Sequence, residues 1–267
     1  MIAIAVTLAF AFGLGLPGKA LAARSDWSHA DQSQMRLLLG APTSGKLVGG
    51  LEMLIEPGWY TYWRDPGEAG IPPVFDFSGS TNVASVEVLY PAPERHDDGA
   101  SVSLVYRNEV VFPLVILPER RDEPVVLRVA ARFGVCSDIC VPTQAESEVA
   151  ASTESDPLAD ARLAQFLPRV PVAPRAGHFA IESVSMEEGD ALLIDVRTPE
   201  SSYLDLFADA PEGWHIGQPE FLSRGENVSR YRLPLAGGPD AAARKGQAIR
   251  FVAVAGSEAI EETVEIR

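Results

Sequence analysis

The chain has 267 residues, 46% of them apolar, and 22 basic against 37 acidic side chains give a formal charge of −15. That apolar content excludes a chain disordered throughout, and the length suggests one large or two ordinary domains. The acidity argues against nucleic acid or an anionic membrane surface as partners; its simplest use is solubility. Residues Ile2 to Leu16 are apolar except for Thr7, Pro17-Gly18 breaks the run, and Ala20-Leu21-Ala22 offers an A-x-A cleavage site. The run is short for a membrane span. Residues 1–22 therefore read as an export signal, although no Lys or Arg precedes the apolar stretch. No later segment has the length of a transmembrane helix. The mature chain is expected to be soluble and periplasmic, where disulfides form and persist. The competing reading is an uncleaved N-terminal anchor.

Short strands between turn signals follow. Gln34–Gly40 and Lys46–Ile55 flank Ala41-Pro42-Thr43-Ser44-Gly45. In Gly58-Trp59-Tyr60-Thr61-Tyr62-Trp63, alternation puts Trp59, Thr61 and Trp63 on one face and Tyr60 and Tyr62 on the other. Val83–Tyr90 alternates and ends at Pro91. Asn108–Leu117 is rich in valine. Pro124–Val135 carries Val125, Leu127, Val129, Ala131, Phe133 and Val135 at a strict period of two, which sets its inward face. Thr143–Ala150 reads as a last, polar-faced strand. Seven or so strands at this spacing predict an antiparallel sandwich over residues 23–150.

Residues 151–176 change character. Ser155-Asp156-Pro157 signals a helix start with proline at the first helical position. Leu158, Ala161, Leu163, Phe166 and Leu167 predict one short amphipathic helix. Pro168-Arg169-Val170-Pro171-Val172-Ala173-Pro174 then reads as an extended linker and a domain boundary. Residues 177–267 return to β patterns at Phe179–Met186, Ala191–Arg197, Tyr203–Ala208, Ser229–Leu235, Gln247–Ala255 and Ala259–Ile266. Turns are expected at Glu187–Asp190 and Gly256–Glu258. The fold class is all-β: one sandwich followed by a smaller one.

The only cysteines are Cys136 and Cys140. Four extended residues span about 13 Å, whereas a disulfide needs Cα atoms within about 7 Å. If the pair bonds, the backbone must turn at Ser137-Asp138-Ile139, at the tip of a hairpin. Gly134 just before it is a place for a bulge or kink. Closing so small a loop is worth only about 2 kcal/mol, so the bridge is a poor staple and better suited to being made and broken. Two rivals stand beside this redox reading. One is a passive disulfide in a non-catalytic binding module. The other is a Cu(I) site with His96 as a third ligand, although His29, His96, His178 and His215 show no ligand spacing with the cysteines. No G-x-S-x-G, H-E-x-x-H, P-loop or dinucleotide fingerprint is present. No cofactor and no other metal are expected.

Four pieces in order carry a family resemblance: Gly58-Trp59-Tyr60-Thr61-Tyr62-Trp63-Arg64-Asp65-Pro66, Tyr90-Pro91-Ala92-Pro93-Glu94-Arg95, Tyr106-Arg107-Asn108-Glu109-Val110-Val111-Phe112-Pro113-Leu114 and Val135-Cys136-Ser137-Asp138-Ile139-Cys140-Val141-Pro142. They resemble the periplasmic N-terminal domain of the disulfide reductase DsbD, and more closely its variant in ScsB-type, copper-tolerance-associated reductases. The resemblance covers roughly residues 34–150 and continues, for ScsB, toward Ala253-Val254-Ala255-Gly256. It implies an immunoglobulin-like sandwich with Cys136 and Cys140 as the redox pair and Cys140 forming the mixed disulfide. It implies a shielding cap at Arg95-His96-Asp97-Asp98-Gly99-Ala100 and paired tyrosines at Tyr60 and Tyr62. The implied partners are a thioredoxin-fold protein and a membrane electron donor. Asp97 and Asp98 are either a solvated loop or charges that disfavour the thiolate. Two departures stand out. DsbD proper spaces its cysteines more widely, and Gly99 falls where DsbD carries an aromatic. The membrane span and thioredoxin-like domain of DsbD have no counterpart in this sequence, so a stand-alone module fed by a separate donor is expected.

Overall fold

The computed structural model describes residues 23–40, 46–152, 156–175, 177–187, 190–198, 203–209, 211, 213–238 and 240–267. The expected export signal, the Ala41–Gly45 turn and part of the Glu187–Asp190 turn lie outside them. Eleven strands, where about seven were expected, build the first half: β1 (Ser28–Ala30), β2 (Ser33–Leu39), β3 (Leu47–Ile55), β4 (Tyr60–Gly67), β5 (Val74–Asp76), β6 (Ser85–Val88), β7 (Glu94–Asp97), β8 (Val102–Arg107), β9 (Glu109–Leu117), β10 (Val126–Cys136) and β11 (Cys140–Ala150). One sheet runs β1-β2-β3-β9-β6; the other runs β11-β10-β4-β8-β7, with β5 also on β10. Every pairing is antiparallel. Between the sheets lie Leu37, Leu51, Phe112 and Trp63 together with Leu127, Val129, Ala131, Phe133 and Val135. The period of two in β10 thus marks the core face, as expected.

The extra strands are the ones without a legible period. β8 is buried on both faces: Leu104 and Tyr106 face the core, and Val105 faces a separate small cluster with Tyr60, Tyr62 and Cys136. Burial on both sides removes the alternation that reveals a strand.

Helix α1 (Pro157–Phe166) starts where expected. Asp156 caps it, its Oδ1 accepting from the Leu158 and Ala159 amides at 2.9 and 3.4 Å. Its apolar face differs from the expected one. Ala159, Leu163 and Phe166 pack on Leu38 and Val111, while Leu158 and Leu167 stay exposed. Gly50 makes room: a Cβ there would stand 2.9 Å from Leu163 Cδ2. The helix is also held electrostatically. The buried Glu52 carboxylate accepts from Arg36 and from Arg162 of α1, each at 2.6 Å, and Arg162 reaches Glu109 at 2.7 Å. A buried carboxylate is tolerated because it is paired on both oxygens.

The proline-rich segment that follows, read from composition as an extended linker, is hydrogen-bonded to both halves. The Ala92 amide donates to the Arg169 carbonyl at 3.2 Å; the Val172 amide donates to Ala259, and its carbonyl accepts from Glu261, each at 3.0 Å. The second half contains β12 (Ala180–Glu187), β13 (Ala191–Arg197), β14 (Leu204–Asp209), β15 (His215–Ile216), β16 (Glu220–Arg224), β17 (Val228–Gly237), a short α2 (Ala241–Arg244), β18 (Ala248–Ala255) and β19 (Glu258–Glu265). The sheet β12-β13-β17-β15, with β16 on β17, faces the sheet β14-β18-β19. Leu192, Ile194, Leu206, Leu233 and Phe251 fill the space between. Where the halves meet, Phe207 and Val252 join the apolar cluster of the first sandwich. The Phe207 ring centroid lies 6.3 Å from that of Trp63.

Candidate functional site

Strands β10 and β11 pair without interruption from Val126↔Ala150 to Cys136↔Cys140. Ser137-Asp138-Ile139 turns the chain, and the Ser137 amide donates to the Ile139 carbonyl at 3.0 Å. The cysteines are therefore opposite residues of one hairpin, disulfide-bonded, with Cα atoms 4.2 Å apart. Gly134 sits in regular register against Pro142, so it is not the bulge or kink that the sequence suggested. Its role is close approach: a Cβ there would meet Ile71 Cβ at 2.9 Å and Tyr62 Cε2 at 3.1 Å.

The two sulfurs differ in exposure. Val135 faces the core, so alternation turns Cys136 to the outer face of the sheet. There Tyr60, Tyr62 and Val105 cover it completely, at 0% exposure. Cys140 is exposed, beside Ile139 at 66%.

Tyr62 holds the centre. Its hydroxyl lies 3.0 Å from Cys136 Sγ and 3.1 Å from Cys140 Sγ. Sulfurs in a disulfide carry no proton, so the phenol donates its single hydrogen to the pair. Burial pushes the Tyr62 phenol well above its ordinary range; the neighbouring Tyr60 and the Asp98 charge push it further. It therefore stays a donor at any physiological pH. The ring is pinned from two sides. Gly134 lies against one edge, and Gly70 (φ +143°) lies so close that a Cβ would stand 2.3 Å from Tyr62 Cε1. Tyr60 stacks edge-on to Tyr62 at 5.7 Å, with the Arg107 guanidinium 5.1 Å from its ring centroid.

The cap residues lie on β7 and the turn into β8. His96 tilts against Tyr60 at 4.6 Å. Asp97 and Asp98 are exposed. Asp98 Oδ1 accepts from the Ala100 and Ser101 amides at 2.8 Å each; these bonds hold its carboxyl below the usual range, so it is ionised at neutral pH. Asp97 Oδ1 accepts from the Gly99 amide at 2.8 Å. A Cβ on Gly99 would meet nothing within 4 Å, so no side chain from that position covers the exposed sulfur. His96 is in ring contact, and among the described residues no cluster of three His, Cys, Asp or Glu side chains is placed to hold a metal.

The structure thus packs Tyr60 and Tyr62 on Cys136, sets His96 behind them against Tyr60, and leaves Asp97 and Asp98 exposed. Sequence reasoning missed Gly70, Ile71 and Val105. The only signal for Gly70 was a glycine in a turn, which carries no hint of which ring would press on it.

Residues 33–152 match the family model described as thiol:disulfide interchange protein DsbD, N-terminal. The structure is similar to the crystal structure of the N-terminal periplasmic domain of ScsB from Proteus mirabilis, with a TM-score of 0.76 and 23% identity, covering 91% of this chain and 98% of that one. Identity at that level carries the fold, including the second sandwich. No curated protein sequence matches the chain. No helix among the described residues is long and apolar enough to cross a membrane. With the disulfide at the hairpin tip and the tyrosines beneath it, residues 33–152 of this chain are similar to the N-terminal domain of DsbD, and the chain shares its fold with the N-terminal periplasmic domain of ScsB.

Proposed function

We propose that the chain is a periplasmic thiol–disulfide exchange module that passes electrons between a membrane donor and thioredoxin-fold partners. The observation that carries this reading is the asymmetry of the pair: one sulfur exposed, the other buried under a hydrogen-bond donor. When a donor thiolate attacks Cys140 Sγ, the Cys136–Cys140 bond breaks and a donor–Cys140 disulfide forms. Cys136 leaves as a thiolate, against which the Tyr62 hydroxyl is already aimed. A buried thiolate without a donor would be a poor leaving group. The donor's second thiolate then attacks its own sulfur in the mixed disulfide and releases Cys140. The donor ends as a disulfide; the pair has gained two electrons and, after protonation, two protons.

Delivery runs in reverse. Cys140 thiolate attacks the partner's disulfide and expels one partner thiolate. Cys136 thiolate then attacks Cys140 Sγ and expels the other, which restores the bond in this chain. Asp98, ionised and close enough to act on Tyr62, disfavours stray thiolate at the rim.

The test is trapping. Cys136→Ser protein, reduced and mixed with a thioredoxin that keeps only its attacking cysteine, activated as a mixed disulfide with thionitrobenzoate, is expected to expel thionitrobenzoate and form a mixed disulfide through Cys140 that persists because neither protein keeps a second thiol to resolve it. Cys140→Ser is expected to form none. Mass spectrometry of the cross-linked peptides reads the linked sulfur. Linkage through Cys136 would reverse the roles. No linkage through either would leave an inert disulfide and sink the proposal.

A further inference from the structure

The second sandwich has no cysteine, yet it grips the segments that wall the disulfide. β4 brings Tyr60 and Tyr62. The turn at residues 67–71 lays Gly70 on the Tyr62 ring. β7 brings His96 against Tyr60. On β4, Arg64 donates to Asp209 at 2.8 Å and to Glu261 at 2.6 Å. On β7, Arg95 lies next to His96 and so points to the opposite face of the strand. Its guanidinium spends three donors on the second sandwich: Nε to Asp205 Oδ1 at 2.8 Å, Nη1 to Gln218 Oε1 at 2.7 Å, and Nη2 to the Leu206 carbonyl. Its face lies 4.9 Å from the Phe207 ring centroid. Gln218 touches a second wall as well. Its Nε2 lies 3.1 Å from where a Cβ would stand on Gly67, the residue that opens the Gly70 turn.

These contacts are not the exposed ion pairs that contribute little. Arg95 and Asp205 side chains are 26% and 25% exposed, and a planar fork with three acceptors fixes orientation as well as distance. A short strand clamped on one face has little freedom on the other.

We infer that Arg95, with Gln218, is a positioning residue of the redox site: by tying β7 and the 67–71 turn to the second sandwich, it holds His96, Tyr60 and Gly70 against Tyr62 and limits access to the Cys136–Cys140 disulfide. The inference rests on the redox reading of the pair. It gives the second sandwich a task in that chemistry through the segments that wall the pair.

The test is the rate at which dithiothreitol reduces the disulfide in the full chain, followed by thiol labelling. In that reaction the pair gains two electrons and two protons while dithiothreitol closes to its cyclic disulfide. Arg95→Ala and Gln218→Ala are each expected to speed reduction by roughly threefold to tenfold, the scale of positional coupling in packed networks. Arg95→Lys keeps the charge and loses the fork, and is expected to fall between wild type and Arg95→Ala. Arg230→Ala, which breaks the Arg230–Asp195 pair within the second sandwich, is expected to leave the rate unchanged. Wild-type rates in Arg95→Ala and Gln218→Ala would overturn the inference. Equal acceleration by Arg230→Ala would also overturn it, because the effect would then be general loosening. If Arg95→Ala fails to fold, Gln218→Ala and Arg95→Lys carry the measurement. Failure here is separable from failure of the function: a trapped thioredoxin adduct with unmoved rates sinks only the positioning role, and moved rates without an adduct sink the exchange function while the positioning of the disulfide stands.

Discussion

Two hairpins of this molecule are built alike and end differently. β10–β11 in the first sandwich and β18–β19 in the second both pair in unbroken register, each with one face in a core. β18–β19 closes at Ala255↔Glu258 over Gly256-Ser257, with Gly256 at φ +62° and open space around it. β10–β11 closes at Cys136↔Cys140 over a three-residue turn. Two tyrosines, two glycines and a histidine are packed around that tip or in contact with its cover. The ladder is therefore the generic part. Chemistry was added on the outer face, where a sheet usually meets water, by covering it with a second small cluster.

That comparison breaks most sharply at glycine. Gly70→Ala is expected to destabilise the chain by about 2–4 kcal/mol, combining overpacking against Tyr62 with a backbone conformation that L-residues resist. Gly256→Ala carries only the backbone cost, about 1 kcal/mol. Urea denaturation of the two variants measures the difference. Equal losses would mean that the ring contact at Gly70 is relaxed elsewhere and that the two tips are packed alike.

Reduction sharpens it next. Opening the Cys136–Cys140 bond is expected to destabilise the first sandwich by about 2 kcal/mol or less, because so short a loop constrains the unfolded chain weakly. Amide exchange along β18–β19 should be unmoved, while that along β10–β11 rises. Unfolding of the first sandwich on reduction at room temperature would make the bridge a structural staple and remove the physical basis for exchange.

The smallest effect is alkaline. Burial raises Tyr62, Tyr90 and Tyr106 in the first sandwich, and in the second it raises Tyr231 to about 12. The unfolded chain loses these phenol protons first, near pH 10, while the folded chain keeps them. Their contribution to stability is therefore complete below about pH 10 and is lost as pH rises toward the folded values. A thermal melting series is expected to be level in this respect up to about pH 10. Above it the first sandwich, with three such groups, should lose stability more steeply than the second. Near-ultraviolet titration of phenolate that is complete near the ordinary value, with the chain still folded, would contradict the packing of Tyr62.

Much of this molecule was legible in its sequence. The period of two in β10 located the core face. The turn-forming tripeptide between two strand patterns predicted facing cysteines. Asp156-Pro157 marked the helix start, and alternation separated Tyr60 and Tyr62 from Trp63. Each of these is a local pattern, and local patterns survive in a linear string because backbone geometry repeats every two or 3.6 residues. Only the tertiary structure decided the rest. β8 is buried on both sides and β16 is exposed on both sides, so neither alternates. The glycine at position 70 acquires meaning from a ring eight positions earlier in the chain. Arg95 meets Asp205 across 110 residues. Contacts like these follow from how sheets stack, and stacking is set by the sum of buried surfaces, which no short window of sequence contains.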